Sequence, residues 1–441
     1  SEFAVRYLST WWGVLAVALA FRLGRQLIAH LGERPAAIAA LLLAFSPLAI
    51  WYAQETRGYT MALALVTAAV VAGSAHLGPA PSAGSRTRLR WAGRLAYVLL
   101  AAAALYTHLY SAFVLVALNL ALTIRHLADR RRRRWPTEAL YWIGAQAAVL
   151  LLLTPWLPAI AAQWQENATY FHGIVDWKQI VRRTLLALSA GETLQGPWAV
   201  AAAGAFALLV AAGSLFLAEQ KSARRSLLVL WLWMVTPLGF QVVLNRRLPK
   251  FSPRYMLNLL PPFLLLASIG ADRLFRQIGI SLAAPTGSQR PARTAASIGS
   301  AAALLAATAL IGGATARSLA NHYFDPGRYR PDVRAVARYI EAHAAPGDVI
   351  VLLAGHNAPP FTYYYQGDLP IVALPDKLLP DTRMPLDVRA LETLDVAIED
   401  RERLWLVLWQ AALADPTGLI TDELEHTYPR LGVGRTFHDV A

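Results

Sequence analysis

Between Trp11 and Ala316 the chain repeats one pattern: an apolar run close to membrane-spanning length, then a short polar link. The runs are Trp11–Ala29, Ala36–Trp51, Tyr59–Leu77, Leu95–Thr107, Leu109–Ile124, Ala139–Trp156, Trp198–Leu217, Ser226–Leu244, Met256–Ala271 and Ser297–Ala316. About 20 apolar residues in helical form cross the hydrocarbon layer of a bilayer. The fourth and fifth runs are short, with His108 at the turn between them. Charged residues make up 16% of the chain and hydrophobic ones 56%; a soluble protein carries about 25% charged residues. After Arg317 the texture becomes mixed and charged as far as Ala441. The expected architecture is a polytopic α-helical membrane protein of about ten spans. Residues 1–320 form its transmembrane domain and residues 321–441 a soluble α/β domain.

Lys and Arg orient the spans. Alternate links hold Arg34, then Arg86, Arg88, Arg90 and Arg94, then Arg125 and Arg130–Arg134, then Lys221, Arg224 and Arg225, then Arg273, Arg276, Arg290 and Arg293. The positive-inside rule makes these links cytoplasmic. The net charge of +13 is then largely a topology signal. Nucleic acid is not needed to explain it, although the Arg130–Arg134 run taken alone suggests such a partner. The opposite side receives Gln54–Arg57, His108, Pro155–Trp198, Asn245–Tyr255 and the C-terminal domain.

Two outer links carry more chemistry than a connection needs. Tyr52-Ala53-Gln54-Glu55-Thr56-Arg57-Gly58-Tyr59-Thr60 places an acid, a base, an amide and two phenols at the membrane edge. Polar groups near lipid are costly unless paired or used. A solvated loop closed by a Glu55–Arg57 pair is the plainer alternative. The second link, Asn245–Tyr255, holds Arg246, Arg247, Lys250 and Arg254 on the side where few cations belong. Guanidinium forks and a Lys point charge suit a phosphate at headgroup depth, while a snorkelling cluster at helix ends is the competing reading.

Other residues are less specific. His108 follows Tyr106-Thr107 at a helix end, where an imidazole can meet a phosphate, ligate a metal or simply be satisfied locally. His172 and Asp176 lie in Gln163–Lys178 with Trp164, Tyr170, Phe171 and Trp177, a composition that favours an interfacial helix. No His, Cys, Asp or Glu spacing argues for a metal site, and Cys is absent. Ser1 is not Met, no signal peptide is evident, and the orientation puts Ser1 outside; one further span is therefore expected ahead of it.

Taken in order, Ser1-Glu2-Phe3-Ala4-Val5-Arg6, Leu23-Gly24-Arg25, Ser46–Tyr59, Tyr106-Thr107-His108-Leu109-Tyr110, Pro155-Trp156-Leu157-Pro158 and Arg254-Tyr255-Met256-Leu257-Asn258 resemble a known family. These are the bacterial glycosyltransferases related to dolichyl-phosphate-mannose–protein mannosyltransferases, the family 39-like enzymes of the GT-C fold. The resemblance covers about Ser1 to Arg276, and its most specific piece is Trp-Tyr-x-Gln-Glu-x-Arg-x-Tyr. It implies transfer of a sugar from a polyprenyl-phosphate donor to a glycan, lipid or protein acceptor, with inversion, at the outer face of a bacterial cytoplasmic membrane.

The resemblance also implies a catalytic base, an Asp of an Asp-Glu pair after the first helix. That position precedes Ser1, so the chain as given is expected to be inactive, and Glu2 does not substitute for it. Arg254, Lys250, Arg247 and Tyr255 are the expected donor-phosphate residues, with Arg246 a weaker candidate. Glu55, Arg57 and His108 support catalysis, and Tyr52, Gln54 and Tyr59 contact sugar or acceptor. On a continuous helix Glu55 and Tyr59 share a face. A divalent cation is an open expectation, and no other cofactor is expected.

In the C-terminal region, Asp332–Ala344 has helical spacing, and Val349–Leu353, Leu369–Leu374 and Leu404–Trp409 read as strands. Gly355 and His356 follow the first strand without a dinucleotide fingerprint, so a lid or acceptor guide is expected in place of a second active site. A lipid-linked sugar flippase or transporter and a non-catalytic membrane scaffold are the alternatives. The first should show repeats or broken midplane helices. A cavity joining Glu55, His108 and Arg254 separates the enzyme from the scaffold.

Overall fold

The computed structural model describes residues 2–74, 87–128, 135–167, 174–247, 251–282, 290–328, 330–375, 386, 388–399, 401, 403–427, 435–438 and 440. Eighteen helices occur among them: α1 Glu2–Leu27, α2 Arg34–Ala44, α3 Pro47–Ala53, α4 Tyr59–Ser74, α5 Thr87–Thr107, α6 Ser111–Ala128, α7 Trp135–Leu153, α8 Leu157–Asn167, α9 Trp177–Ala190, α10 Pro197–Glu219, α11 Arg224–Asn245, α12 Leu260–Leu282, α13 Arg290–Phe324, α14 Val333–His343, α15 Ala358–Tyr364, α16 Val388–Ile398, α17 Ala411–Ala414 and α18 Leu419–Thr427. Three strands follow α13: β1 Val349–Leu353, β2 Ile371–Leu374 and β3 Leu404–Leu408. The chain divides into two compact units. One comprises residues 1–157, 175–247 and 251–322; the other comprises 158–174, 248–250 and 323–441.

Among the described residues, six helical stretches are long and apolar enough to cross a membrane: Glu2–Leu27, Glu138–Ala162, Pro197–Glu219, Arg224–Asn245, Pro253–Ile278 and Ile298–Phe324. The second expected run is not one straight span. It breaks into α2 and α3, which meet at 54°. The cause is local: Ser46 takes an extended conformation, its Oγ accepts from Ala49 N at 3.4 Å, and Pro47 begins the new helix without an N–H to donate. The third, fourth and fifth expected runs are shorter apolar helices at Tyr59–Ser74, Trp91–Thr107 and Ser111–Arg125. Ten full-length spans are therefore met only in part.

One polar network inside the larger, helical unit is matched side chain to side chain, which lowers the cost of burying it. Trp142 Nε1 donates to Asn119 Oδ1 at 2.6 Å, Asn119 Nδ2 to Gln146 Oε1 at 3.2 Å, and Gln146 Nε2 to the Tyr97 hydroxyl at 3.1 Å. At the link from α1 to α2, Asp272 of α12 receives Arg276 at 2.6 Å and Arg34 at 3.4 Å. Helices α10 and α12 cross at Gly213 and Gly270. A Cβ on Gly213 would collide with Leu266 O, and one on Gly270 with Leu209 O. Small residues permit such backbone approach where lipid gives no hydrophobic drive for helix pairing.

The smaller unit holds a parallel sheet in the order β2-β1-β3, with β1 buried along its whole length. Alternation of side chains sends Val349, Val351 and Leu353 to one face, where they pack with Leu394 of α16 and Ile420 of α18. Ile350 and Leu352 face the other way and pack with Val336 and Ile340 of α14 and Phe361 of α15. The sheet ends near those expected at 349–353, 369–374 and 404–409. At the start of β1, Asp348 accepts from Arg403 Nη2 at 2.7 Å, Trp405 Nε1 at 2.8 Å and Ala345 N at 2.9 Å.

Candidate active site

Four connections of the larger unit bring their polar residues together: the α3–α4 link, the α5–α6 turn, the α9–α10 turn and the approach to α12. Tyr52 on the last turn of α3 and Tyr59 on the first turn of α4 meet edge to face, 5.2 Å between centroids. Tyr59 lies 5.5 Å from the His108 ring, and His108 lies 6.0 Å from Tyr255. Tyr110 stacks on Tyr255 at 4.7 Å. The Arg254 guanidinium sits 5.3 Å from the Tyr255 centroid, a cation–π geometry. It acts electrostatically on Tyr52, Tyr59, His108 and Glu192. Its Nε is buried and donates to no atom among the described residues.

Glu192 is the carboxylate at the centre of this group, and sequence reasoning missed it. Tyr52 donates its hydroxyl to Glu192 Oε1 at 2.7 Å. Glu192 is delivered by the turn that ends α9. Gly191 there has φ of +73°, and a side chain on it would press on Pro47, 2.8 Å from the added Cβ. Burial pushes the Glu192 carboxyl above the ordinary carboxylate range; the Tyr52 hydrogen bond and Arg254 act in the opposite direction, and Glu55 adds to the rise. Its signal in the sequence is slight: a lone acid in Ala190-Gly191-Glu192-Thr193-Leu194, between two apolar segments. Arg183 of α9, also missed, stands 5.2 Å over the Phe251 ring and lies within electrostatic reach of Glu192.

His108 is held as a neutral imidazole. Burial first, and Arg254 second, push it down to about 4. Its Nδ1 accepts from Tyr110 N at 3.3 Å, which leaves the proton on Nε2. It is a hydrogen-bond donor near neutral pH and not a second cation. Among the described residues, no group of three His, Cys, Asp or Glu could hold a metal ion, so the open expectation of a divalent cation gains no support.

The Tyr52–Thr60 link differs from its expected form. The chain is helical only up to Ala53 and again from Tyr59, so Glu55 and Tyr59 do not share a helical face. Arg57 is exposed and forms no ion pair with Glu55; its backbone carbonyl accepts from Ser9 Oγ at 3.3 Å. The bend turns Arg57 outward while Tyr52 and Tyr59 turn inward. Glu55 reaches Tyr52 and Glu192 electrostatically. Gln54 Oε1 meets His322 Nε2 of α13 at 3.2 Å, and the His322 ring lies 4.8 Å from Trp51. Of the basic link, Arg254 and Tyr255 join the cluster, Arg246 and Arg247 are exposed, and Lys250 lies outside the described residues. His172 lies outside them too, and Asp176 is exposed at the start of α9.

Its long apolar helices make this a multi-pass membrane protein, and comparison with solved structures shows the GT-C fold. The chain shares that fold with ArnT from Cupriavidus metallidurans bound to undecaprenyl phosphate: TM-score 0.60, 15% identity, 99% of this chain and 83% of that one. The apo form of the same ArnT gives 0.57 at 14% identity, over 99% and 82%. The oligosaccharyltransferase AglB from Archaeoglobus fulgidus, in complex with an inhibitory peptide and a dolichol-phosphate, gives 0.53 at 12% identity, over 92% and 58%. No family model matches the chain, and no curated protein sequence matches it.

Proposed function

We propose that this protein is a glycosyltransferase that takes a sugar from a polyprenyl-phosphate donor and passes it, with inversion, to an acceptor at the outer face of the bacterial cytoplasmic membrane. The observation that carries this reading is Arg254: a guanidinium held over Tyr255, with a buried Nε left to donate, inside a cluster of Tyr52, Tyr59, His108 and Glu192. Buried donors in native proteins are nearly always matched, and a phosphate oxygen would match this one. The lipid phosphates named with ArnT and AglB support the same ligand chemistry.

In this proposal the bond between the anomeric carbon and the phosphate oxygen breaks as the acceptor oxygen attacks from the opposite side. Negative charge grows on the phosphate, where Arg254 and the His108 Nε2–H stabilise it. Tyr52, fixed by Glu192, and Tyr59 orient the sugar; Glu55 sits at the rim of the same group. The acceptor proton passes to a carboxylate, the base that the family resemblance implies. Residues 321–441 are proposed to form an extracytoplasmic domain that guides the acceptor.

The test is transfer of radiolabelled sugar from a panel of polyprenyl-phosphate sugars in proteoliposomes. Transfer that is lost in Arg254→Ala supports the reading. Absence of transfer with every donor, alongside saturable donor binding, would point to a carrier.

A further inference from the structure

One depression in the smaller unit is cationic although the sequence around it is acidic. Between residues 323 and 441, eleven Lys and Arg stand against eighteen Asp and Glu. Yet an open surface depression of about 640 Å³ beside α14 is lined by Arg334, Arg338 and Arg435, with Asp332, Tyr339, His343 and Phe437. Helical spacing creates one wall. Val333, Val336, Ala337 and Ile340 are buried under the sheet, which leaves Arg334 and Arg338, four residues apart, on the outward side. Ala335 and Ala342 keep the space between them open.

The C-terminal segment forms the opposite wall and is tied in place. Asp332 N donates to His438 O at 3.1 Å, and Phe437 and Val440 exchange backbone bonds of 2.7 and 3.2 Å. Arg435 rests over two rings, 5.1 Å from the Tyr339 centroid and 5.4 Å from that of Phe437, a cation–π geometry that favours this placement. The Asp332 carboxylate already accepts from Ala335 N at 3.1 Å. Arg338 makes no hydrogen bond or ion pair among the described residues. Three guanidinia thus line a space in which the single carboxylate is engaged elsewhere.

We propose that this depression binds a saccharide bearing a phosphate or carboxylate group. The arginine forks hold the anion, and Tyr339 and Phe437, which line the same space, border the sugar ring. The volume falls within the range of about 300–1,000 Å³ usual for small-ligand sites. This inference is independent of the transfer reaction proposed above.

The experiment is ligand-observed NMR and calorimetric titration of the whole chain in phosphatidylcholine nanodiscs, with glucose 1-phosphate, glucuronate, inorganic phosphate and glucose as probes. Both acidic sugars should bind, phosphate more weakly, and glucose not at all. Arg338→Gln and Arg435→Gln should each weaken glucose 1-phosphate about tenfold, while Arg389→Gln on α16 leaves it unchanged. If Arg435→Gln loosens the terminal segment, seen as a lowered unfolding temperature, Arg334→Gln carries the same test without touching that segment. Displacement of glucose 1-phosphate by phosphatidylglycerol added to the nanodiscs would support the anion site and name a lipid headgroup as its source. Equal binding of glucose and glucose 1-phosphate, or undiminished binding in the three Arg variants, would overturn the proposal.

Discussion

Replacing Arg254 with Gln removes the guanidinium between Tyr255 and Glu192 and should act on binding and on stability by separate routes. A charge-assisted hydrogen bond to phosphate contributes about 1.5–3 kcal/mol. Its loss should weaken a labelled polyprenyl phosphate about ten- to a hundredfold in equilibrium binding. The stability effect comes from Glu192, which keeps its buried position but loses a cation that favours its charged form. Removing one partner of a fully buried ion pair costs about 3–5 kcal/mol. Arg254 and Glu192 are half-buried and act on each other electrostatically without forming an ion pair, so a loss of at most about 1 kcal/mol is expected. The pH dependence has a definite sign. An acid whose folded pKa is raised favours folding below its unfolded pKa, and that contribution is lost as pH rises through the folded value. Without Arg254 the Glu192 pKa rises further, so the fall in unfolding temperature should grow as pH rises above the ordinary carboxylate range. Adding Glu192→Gln keeps an acceptor for Tyr52 and removes the charge. The double variant should recover the unfolding temperature and abolish the extra pH-dependent loss, and should not recover donor affinity. Donor affinity restored by Glu192→Gln, or an Arg254→Gln protein with parental stability at pH 8 and parental binding, would refute this reasoning.

Three further outcomes are expected. Gly213→Leu should abolish the close crossing of α10 and α12, and even Gly213→Ala should cost about 1–3 kcal/mol, read as a lowered unfolding temperature in detergent. His108→Gln should leave donor binding within about threefold, because a neutral imidazole contributes a hydrogen bond and no charge. In the parent, protonation of His108 favours the unfolded chain as pH falls from 6.5 towards about 4, so the larger unit should lose stability over that window and His108→Gln should lose less. Asp348→Ala should destabilise the sheet unit by about 2–4 kcal/mol, since Arg403, Trp405 and Ala345 lose their shared acceptor. Burial opposes the Asp348 charge, but those hydrogen bonds hold its pKa below the ordinary value. Its contribution is therefore present at neutral pH and lost as acid titrates the folded carboxyl, which differential scanning of the parent and Asp348→Ala from pH 6 to pH 2 would show.

The helical, membrane-embedded class of this protein was readable in the sequence because apolar run length is a local quantity: each of Trp198–Leu217 and Ser226–Leu244 declares itself without reference to any other residue. Strands at Val349 and Leu404 were readable for the same reason. Arg254 and His108 stood out because a cation or an imidazole beside lipid needs explanation wherever it lies. Only the tertiary structure separated Arg254 from Arg246 and Arg247, which share its link but stay exposed. Only it turned Arg57 away from Glu55 and brought in Glu192, 140 residues from its hydrogen-bond partner Tyr52. A carboxylate at the end of α9 carries no mark of its future neighbours in the residues around it. Its partner, its burial and its raised pKa arise when Gly191 turns the chain against Pro47, and that contact depends on how helices distant in sequence pack.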